Sequence, residues 1–299
     1  MLRKNNLDIE SDDTMHLKSD DEVILLGCSN GLTLNEQVRL KITSLYDCLV
    51  NEFNLKVHIS PTVYIDPINN KTHDATYRKE ELYNALIDPN IKAIFDLSGG
   101  DLANEVLNQF TDDDWRAIEG IKDKCYLGYS DNTVIINALL LKTKITAVNF
   151  LVTNIVKDDS GIAKEGFKRV LFNNERIDRS STFPEHIEEN ARVIGGNLRC
   201  YLKLAGTPYF NSDNASGLLL EGKSGDIYKI RSYFAQLDLL NVLNKVEFVV
   251  MGQFDEINDR DQQDELHKLV QTYQNKHNFK LYFTKYVGHH YAVYPFIMN

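Results

Sequence analysis

The chain reads as an α/β protein built on mostly parallel sheet, and three observations carry that expectation. Short apolar or β-branched runs recur as VILLGC, LKVHISPTV, IKAIFDLSGG and CYLGYSD. Each run is followed by a polar loop and then by a segment whose apolar residues fall at three- and four-residue spacing, the mark of a helix covering a sheet. The same cadence resumes after a polar interval near the middle, so two units are expected in 299 residues, a length that also fits two ordinary domains.

Taken in order, residues 1–21 are polar, charged and aperiodic, which predicts a frayed tail, and packed structure is expected from Glu22. The segments Thr33 to Phe53, Tyr77 to Ile87, Leu102 to Phe110 and Asn132 to Leu141 are the expected helices of the first unit, residues 22–156. Residues 157–190 turn polar and hold only one short helical stretch, which predicts a linker. The second unit, 191–299, should begin with RVIGGNL and a helix Leu198 to Leu204. It continues through the turn GTPYF, the strand GLLLEG, the helix IYKIRSYFAQLDLL and the strand VEFVVMGQF. A polar helix Asp261 to Lys276 and terminal strands in KLYFTK and AVYPFIM complete it.

The charge balance removes whole classes of function. A net charge of −10 argues against a surface built to neutralise nucleic-acid phosphates or to dock on an anionic membrane. No run approaches the length of an apolar spanning helix, and the first residues lack the apolar block of a secretory signal, so a cytoplasmic location is expected. Cys28, Cys48, Cys125 and Cys200 have no metal-type spacing and are read as reduced packing residues.

Two loops stand at predicted strand ends, where open parallel sheets collect ligands. In LGYSDNTVIINALL an apolar strand breaks at Gly128, presents Ser130 in a tight turn and enters a helix through Asp131, Asn132 and Thr133. That is the layout of a nucleophile elbow, with helix-start amides facing a developing oxyanion; the same residue types are also ordinary helix caps. Ser98, Gly99 and Gly100 form the second loop, either a plain strand-to-helix turn or a place where a substrate approaches the backbone. A phosphate cradle fits poorly, because no Lys-Ser/Thr follows.

A serine nucleophile needs a histidine base and a group that holds the histidine. Of eight histidines, His16 lies in the tail, His73 and His186 in polar loops, His267 and His277 in a polar helix, and His58 in an apolar strand as a core residue. His289 and His290 follow Gly288 at a break between terminal strands, where a loop role and a catalytic role both remain open. Among 43 acidic residues, Glu221 directly follows the apolar run Gly217 to Leu220, where burial of a carboxylate demands a partner; a surface acid is the alternative.

Several blocks in order resemble the LD-carboxypeptidases, a serine peptidase family that includes the microcin C immunity peptidases. They are YRKEELYNALIDPNIKAIFDLSGGDLANEVL, LGYSDNT, IGGNLRCYLKLAGTPYF, LLLEG, VVMGQF and VGHHYAVYP, and the similarity runs from about Val23 to Ile297. The resemblance implies a flavodoxin-like N-terminal nucleophile domain, a smaller C-terminal α/β domain and a homodimer. It implies a Ser-Glu-His triad of Ser130, Glu221 and His289, with an oxyanion hole from the amides of Gly99, Gly100 and Asp131, and with no metal and no cofactor. The implied activity is cleavage of an L,D-peptide bond in a murein-derived peptide. Alternatives are an immunity-type hydrolase of aminoacyl-nucleotide amides and a peptide-binding relative without activity. The GGD form with Asn104 close behind looks more like the immunity branch. Against that branch, the linker has no tryptophan and Trp115, in DDDWRAIEG, looks like a helix packing or surface residue, which weakens the expectation of aromatic stacking on a nucleotide. The order Ser, Glu, His also matches α/β-hydrolases, but Asn132 stands where that elbow's second glycine would be.

Overall fold

The computed structural model describes residues 16–172 and 191–298. In chain order the first unit holds β1 (Glu22–Leu26), α1 (Glu36–Asn51), β2 (Lys56–Ile59), α2 (Ala75–Ile87), β3 (Ile91–Asp96), α3 (Ala103–Leu107) and α4 (Asp112–Ile118). It continues with β4 (Cys125–Gly128), α5 (Thr133–Lys142), β5 (Thr146–Asn149) and α6 (Ile162–Leu171). The second holds β6 (Val193–Asn197), α7 (Leu198–Leu202), β7 (Gly217–Gly222), α8 (Ile227–Leu239), β8 (Phe248–Phe254), α9 (Asp255–Asp259), α10 (Gln263–His277) and β9 (Lys280–Phe283). The two-residue β10 (Phe296–Ile297) ends the described chain.

Helix starts follow from local chemistry. Asn35, Asp74 and Asp226 each accept a backbone N–H three residues on, and Thr111 with Asp114 closes a capping box at α4.

The first sheet runs in the order β10-β5-β4-β3-β1-β2 and is parallel except for β10. Without β10 this is the flavodoxin-type order, whose reversal between β1 and β3 opens a crevice at the carboxyl ends of those strands. Both faces are buried, and side chains alternate accordingly. Val23, Leu25, Phe95 and Leu127 face α1 and α6, whereas Leu26, Ile94 and Tyr126 face a second cluster. The second sheet, β6-β7-β8-β9, is parallel throughout, and its residues Val193, Leu219, Val250 and Tyr282 belong to that same second cluster. The two sheets therefore share one apolar core through α5.

Three expectations need correction. Of the predicted tail, residues 16–21 are placed: Leu17 is buried and its N–H donates to Leu171 O, because the apolar end of α6 needs a cover. His58 is no core residue; β2 is the sheet edge, and the exposed imidazole lies 2.8 Å from Glu22. The terminal strand AVYPFIM leaves the second sheet: β10 pairs antiparallel with β5, while Met298 O accepts the N–H of Val193 in β6. That crossing satisfies the edge groups of β5, which would otherwise be buried unpaired. The rest of the tail and residues 173–190 of the expected linker, His186 included, lie outside the described residues.

Candidate active site

The strand β4 ends at Gly128, and Ser130 takes φ 57°, a left-handed conformation that costs a non-glycine residue about 1–2 kcal/mol. Its neighbours hold it there. Asn132 N–H donates to Tyr129 O, and the Asn132 amide donates to Ser98 O at 2.9 Å and to Ser98 Oγ at 3.3 Å. Asp131 is fully buried and accepts from Ser29 Oγ at 2.6 Å, Ala103 N at 2.8 Å and Lys203 Nζ at 2.5 Å.

The Ser98-Gly99-Gly100 loop follows β3 and meets this elbow. A Cβ on Gly99 would lie 3.9 Å from Ser130 Cβ and Oγ, so the glycine leaves the backbone open in front of the hydroxyl. Gly100 turns instead toward Asn30, whose Oδ1 accepts the N–H of Asp101, and Gly99 O accepts from Asn30 N at 3.3 Å. Beneath the loop, the buried Asp96 carboxylate accepts from Ser98 N, Ser98 Oγ, Cys28 N and the Tyr126 hydroxyl, all within 3.0 Å. Burial raises its pKa above the ordinary carboxylate value, while the Ser98 hydroxyl and N–H, the Cys28 side chain and the Tyr126 hydroxyl pull the other way.

Glu221 reaches the site at the end of β7, where pairing with β8 slips between Leu220 and Gly222 and the carboxylate is fully buried. His289 lies on the crossing from β9 to β10, so its loop spans from the second sheet to the first. Gln253 seats that loop, donating its N–H to Val287 O and its side-chain amide to Thr284 O. The seat requires Gly252, since a Cβ there would come within 2.6 Å of Val287 O and 3.1 Å of Glu221 Cβ.

The result is a chain of three side chains. His289 Nε2 stands 3.3 Å from Ser130 Oγ, and Nδ1 stands 2.8 Å from Glu221 Oε2, with the imidazole only 6% exposed. The second separation is within ion-pair reach of a protonated imidazole but lies off the line of a hydrogen bond, and among the described residues neither Glu221 oxygen nor Nδ1 has a hydrogen-bond partner. His290 points elsewhere, donating to Lys285 O at 2.6 Å.

Two residues beside this chain escape sequence reasoning. The Tyr129 ring packs 4.4 Å from the His289 ring, its buried hydroxyl without a hydrogen-bond partner among the described residues. Its pKa is pushed up by burial and then by the negative charges of Glu221 and Asp255. Asp255, the first residue of α9, has its pKa raised by burial, with His289 opposing the rise. An acid directly after the apolar run VVMGQF repeats the pattern that singled out Glu221, and Asp96 inside IKAIFD is a third such case.

Among the described residues no group of three His, Cys, Asp or Glu is placed to hold a metal ion. All four cysteines are free and buried. No helix of the described residues is long and apolar enough to cross a membrane.

Comparison with known proteins finds two family matches. The LD-carboxypeptidase N-terminal domain matches residues 23–149 and the LD-carboxypeptidase C-terminal domain matches residues 190–299. A curated relative, the putative carboxypeptidase YocD of Bacillus subtilis (strain 168), is 24% identical over 268 residues, 80% of this chain and 79% of that protein. Among solved structures, the wild-type apo microcin C7 self immunity protein MccF superposes with a TM-score of 0.76 at 16% identity, covering 96% of this chain and 93% of that one. An MccF-like protein from Bacillus anthracis str. Ames gives 0.74 at 20%, covering 95% and 93%. The muramoyltetrapeptide carboxypeptidase of Oxalobacter formigenes gives 0.66 at 19%, covering 93% and 92%. At these identities the structural likeness speaks for the fold.

Proposed function

From the premise that the chain belongs to the LD-carboxypeptidase family, we propose that it is a serine hydrolase that releases the terminal residue of a murein-derived peptide by cutting an L,D-amide bond. One observation carries the reading: a buried imidazole stands between a strained serine and a buried carboxylate, at 3.3 Å and 2.8 Å.

In this reading Ser130 Oγ attacks the scissile carbonyl while His289 Nε2 takes its proton, and Glu221 stabilises the imidazolium from the Nδ1 side. The negative charge on the tetrahedral intermediate is met by backbone N–H groups of the Gly99-Gly100 loop and of Asp131. Collapse breaks the amide bond, and His289 returns the proton to the leaving amine. Water, deprotonated by the same imidazole, then attacks the acyl-enzyme and frees Ser130. The left-handed backbone of Ser130 supports this role over simple capping, since a cap residue normally has extended backbone angles.

A second substrate class rests on the superposition with MccF, which has been solved in complex with aspartyl sulfamoyl adenosine. The deciding experiment is covalent labelling by a fluorophosphonate, read by mass, followed by turnover assays on an L,D-tetrapeptide and on an aminoacyl sulfamoyl adenosine. Labelling confined to Ser130, abolished by Ser130→Ala and His289→Ala and retained by His290→Ala, is the expected result. No labelling, or labelling indifferent to Ser130→Ala, moves the reading to a peptide-binding protein without activity.

A further inference from the structure

The hydrolase reading above accounts for Ser130, His289 and Glu221, but not for the charged cluster behind the elbow. Asp131 is 0% exposed, and its carboxylate joins three separate segments. Ser29, after β1, donates to Oδ2 at 2.6 Å; Ala103, at the start of α3 just past the Gly99-Gly100 loop, donates to Oδ2 at 2.8 Å. Lys203, which caps the end of α7 in the second unit, reaches Oδ1 at 2.5 Å. The same ammonium lies 3.4 Å from Asp101 O and 3.6 Å from Asp101 Oδ1. One turn earlier on α7, Arg199 donates to Asp101 Oδ1 at 2.6 Å and to Gly100 O at 3.3 Å.

This arrangement has a directional consequence. The elbow amide of Asp131 and the Gly99-Gly100 loop are the two halves of the oxyanion site, and both belong to the first sheet. Glu221 and the start of the His289 loop belong to the second. From the second unit, Lys203 contacts Asp131 at the elbow and Asp101, the residue that directly follows the Gly99-Gly100 pair. It also neutralises a carboxylate that burial would otherwise leave uncompensated. Arg199 fastens the same loop at Asp101 and Gly100 O but makes no hydrogen bond to the buried Asp131 carboxylate, which Lys203 does.

We propose that Lys203 is a positioning residue for acylation: its ion pair with Asp131 fixes the oxyanion half-sites against the unit that carries the base and its carboxylate. The pair acts through backbone placement and touches neither substrate nor reacting atoms. The inference rests on the hydrolase reading of the same site. A misplacement of about 1 Å in such a site costs up to ~100-fold in rate.

The test is saturation kinetics of fluorophosphonate labelling at Ser130 in the full chain, separating the limiting rate from the half-saturating probe concentration. Lys203→Met is expected to lower the limiting rate about 10- to 100-fold with half-saturation little changed. Lys203→Arg, which keeps a cation able to reach the carboxylate, should recover it to within about threefold. Because Lys203→Met strands a buried charge and can lose stability, the double variant Lys203→Met/Asp131→Asn is measured beside it. It should regain thermal stability but not labelling rate. Lys245→Met, which breaks a remote exposed pair with Asp213, serves as the control and should label like wild type. A folded Lys203→Met or double variant that labels at the wild-type rate overturns the proposal and leaves the hydrolase reading standing. A wild type that does not label at Ser130 overturns both.

Discussion

Glu221 is buried to 0% exposure, and among the described residues its one close charged-group contact is the 2.8 Å approach to His289 Nδ1. A carboxylate in that position is held at a cost to stability, because desolvation is offset only when the imidazole is protonated. Activity and stability should therefore separate at this residue. Glu221→Gln keeps the shape and removes the charge, so kcat is expected to fall about 10²- to 10⁴-fold while the melting temperature holds or rises. Paired rate and calorimetric measurements check this, and a variant that loses stability but keeps its rate would sink the assignment. At the same scale, Ser130 and Glu221 could be shortlisted from their places at strand ends. Asp255 stands after an apolar run as Glu221 does, but neither it nor Tyr129 is marked as a neighbour of His289, because nothing in one dimension shows that an acid or a phenol will lie beside an imidazole far along the chain. Asp255, for example, becomes a neighbour of His289 only once β8 is laid next to β7.

Single elements show how local chemistry and tertiary contact divide the work. Helix α2 starts on its own Asp74 cap but cannot finish itself. The carbonyl of Ala85 would pair with the N–H of residue 89, which is Pro89 and has none. Lys124 solves this from the loop before β4, its buried ammonium donating to Ala85 O at 2.9 Å, to Asp88 O, and to Ile91 O at 2.6 Å. Lys124→Met should thus cost about 1–3 kcal/mol through stranded carbonyls, a loss that urea unfolding would detect while Ser130 labelling persists. Helices of this kind were legible in the sequence to within a few residues, as α1, α2 and α5 illustrate, because caps and apolar spacing are local. The strand β10 was legible as a strand but not in its partner, since two residues carry no signal about which edge they will satisfy.

For the molecule as a whole, the shared apolar cluster matters more than the count of units. Residues of both sheets meet around α5, and Asn137 on that helix behaves like a strand partner. Its side-chain amide donates to Gly195 O at 2.8 Å and accepts from Gly195 N at 3.0 Å. With one core running through both sheets, thermal unfolding is expected to be a single cooperative transition by calorimetry, and Asn137→Leu should lower its midpoint by stranding two buried backbone groups. Two resolved transitions would contradict the shared core.

The sequence by itself determined the α/β class, the order of the elements and the two loops that meet at Ser130, because periodicity, caps and small residues at strand ends are short-range properties. Its ordered blocks also pointed to the LD-carboxypeptidase family. The resemblance implied His289, and only the tertiary structure decided how that ring, and not its neighbour, comes to face the serine. His289 and His290 are adjacent in sequence and alike in composition, and they diverge because the seat at Gly252 and Gln253 and the crossing from β9 to β10 turn one ring inward, between Ser130 and Glu221, and the other outward to Lys285 O. A choice of that kind rests on contacts between residues far apart in the chain, and those contacts exist only in the packed molecule.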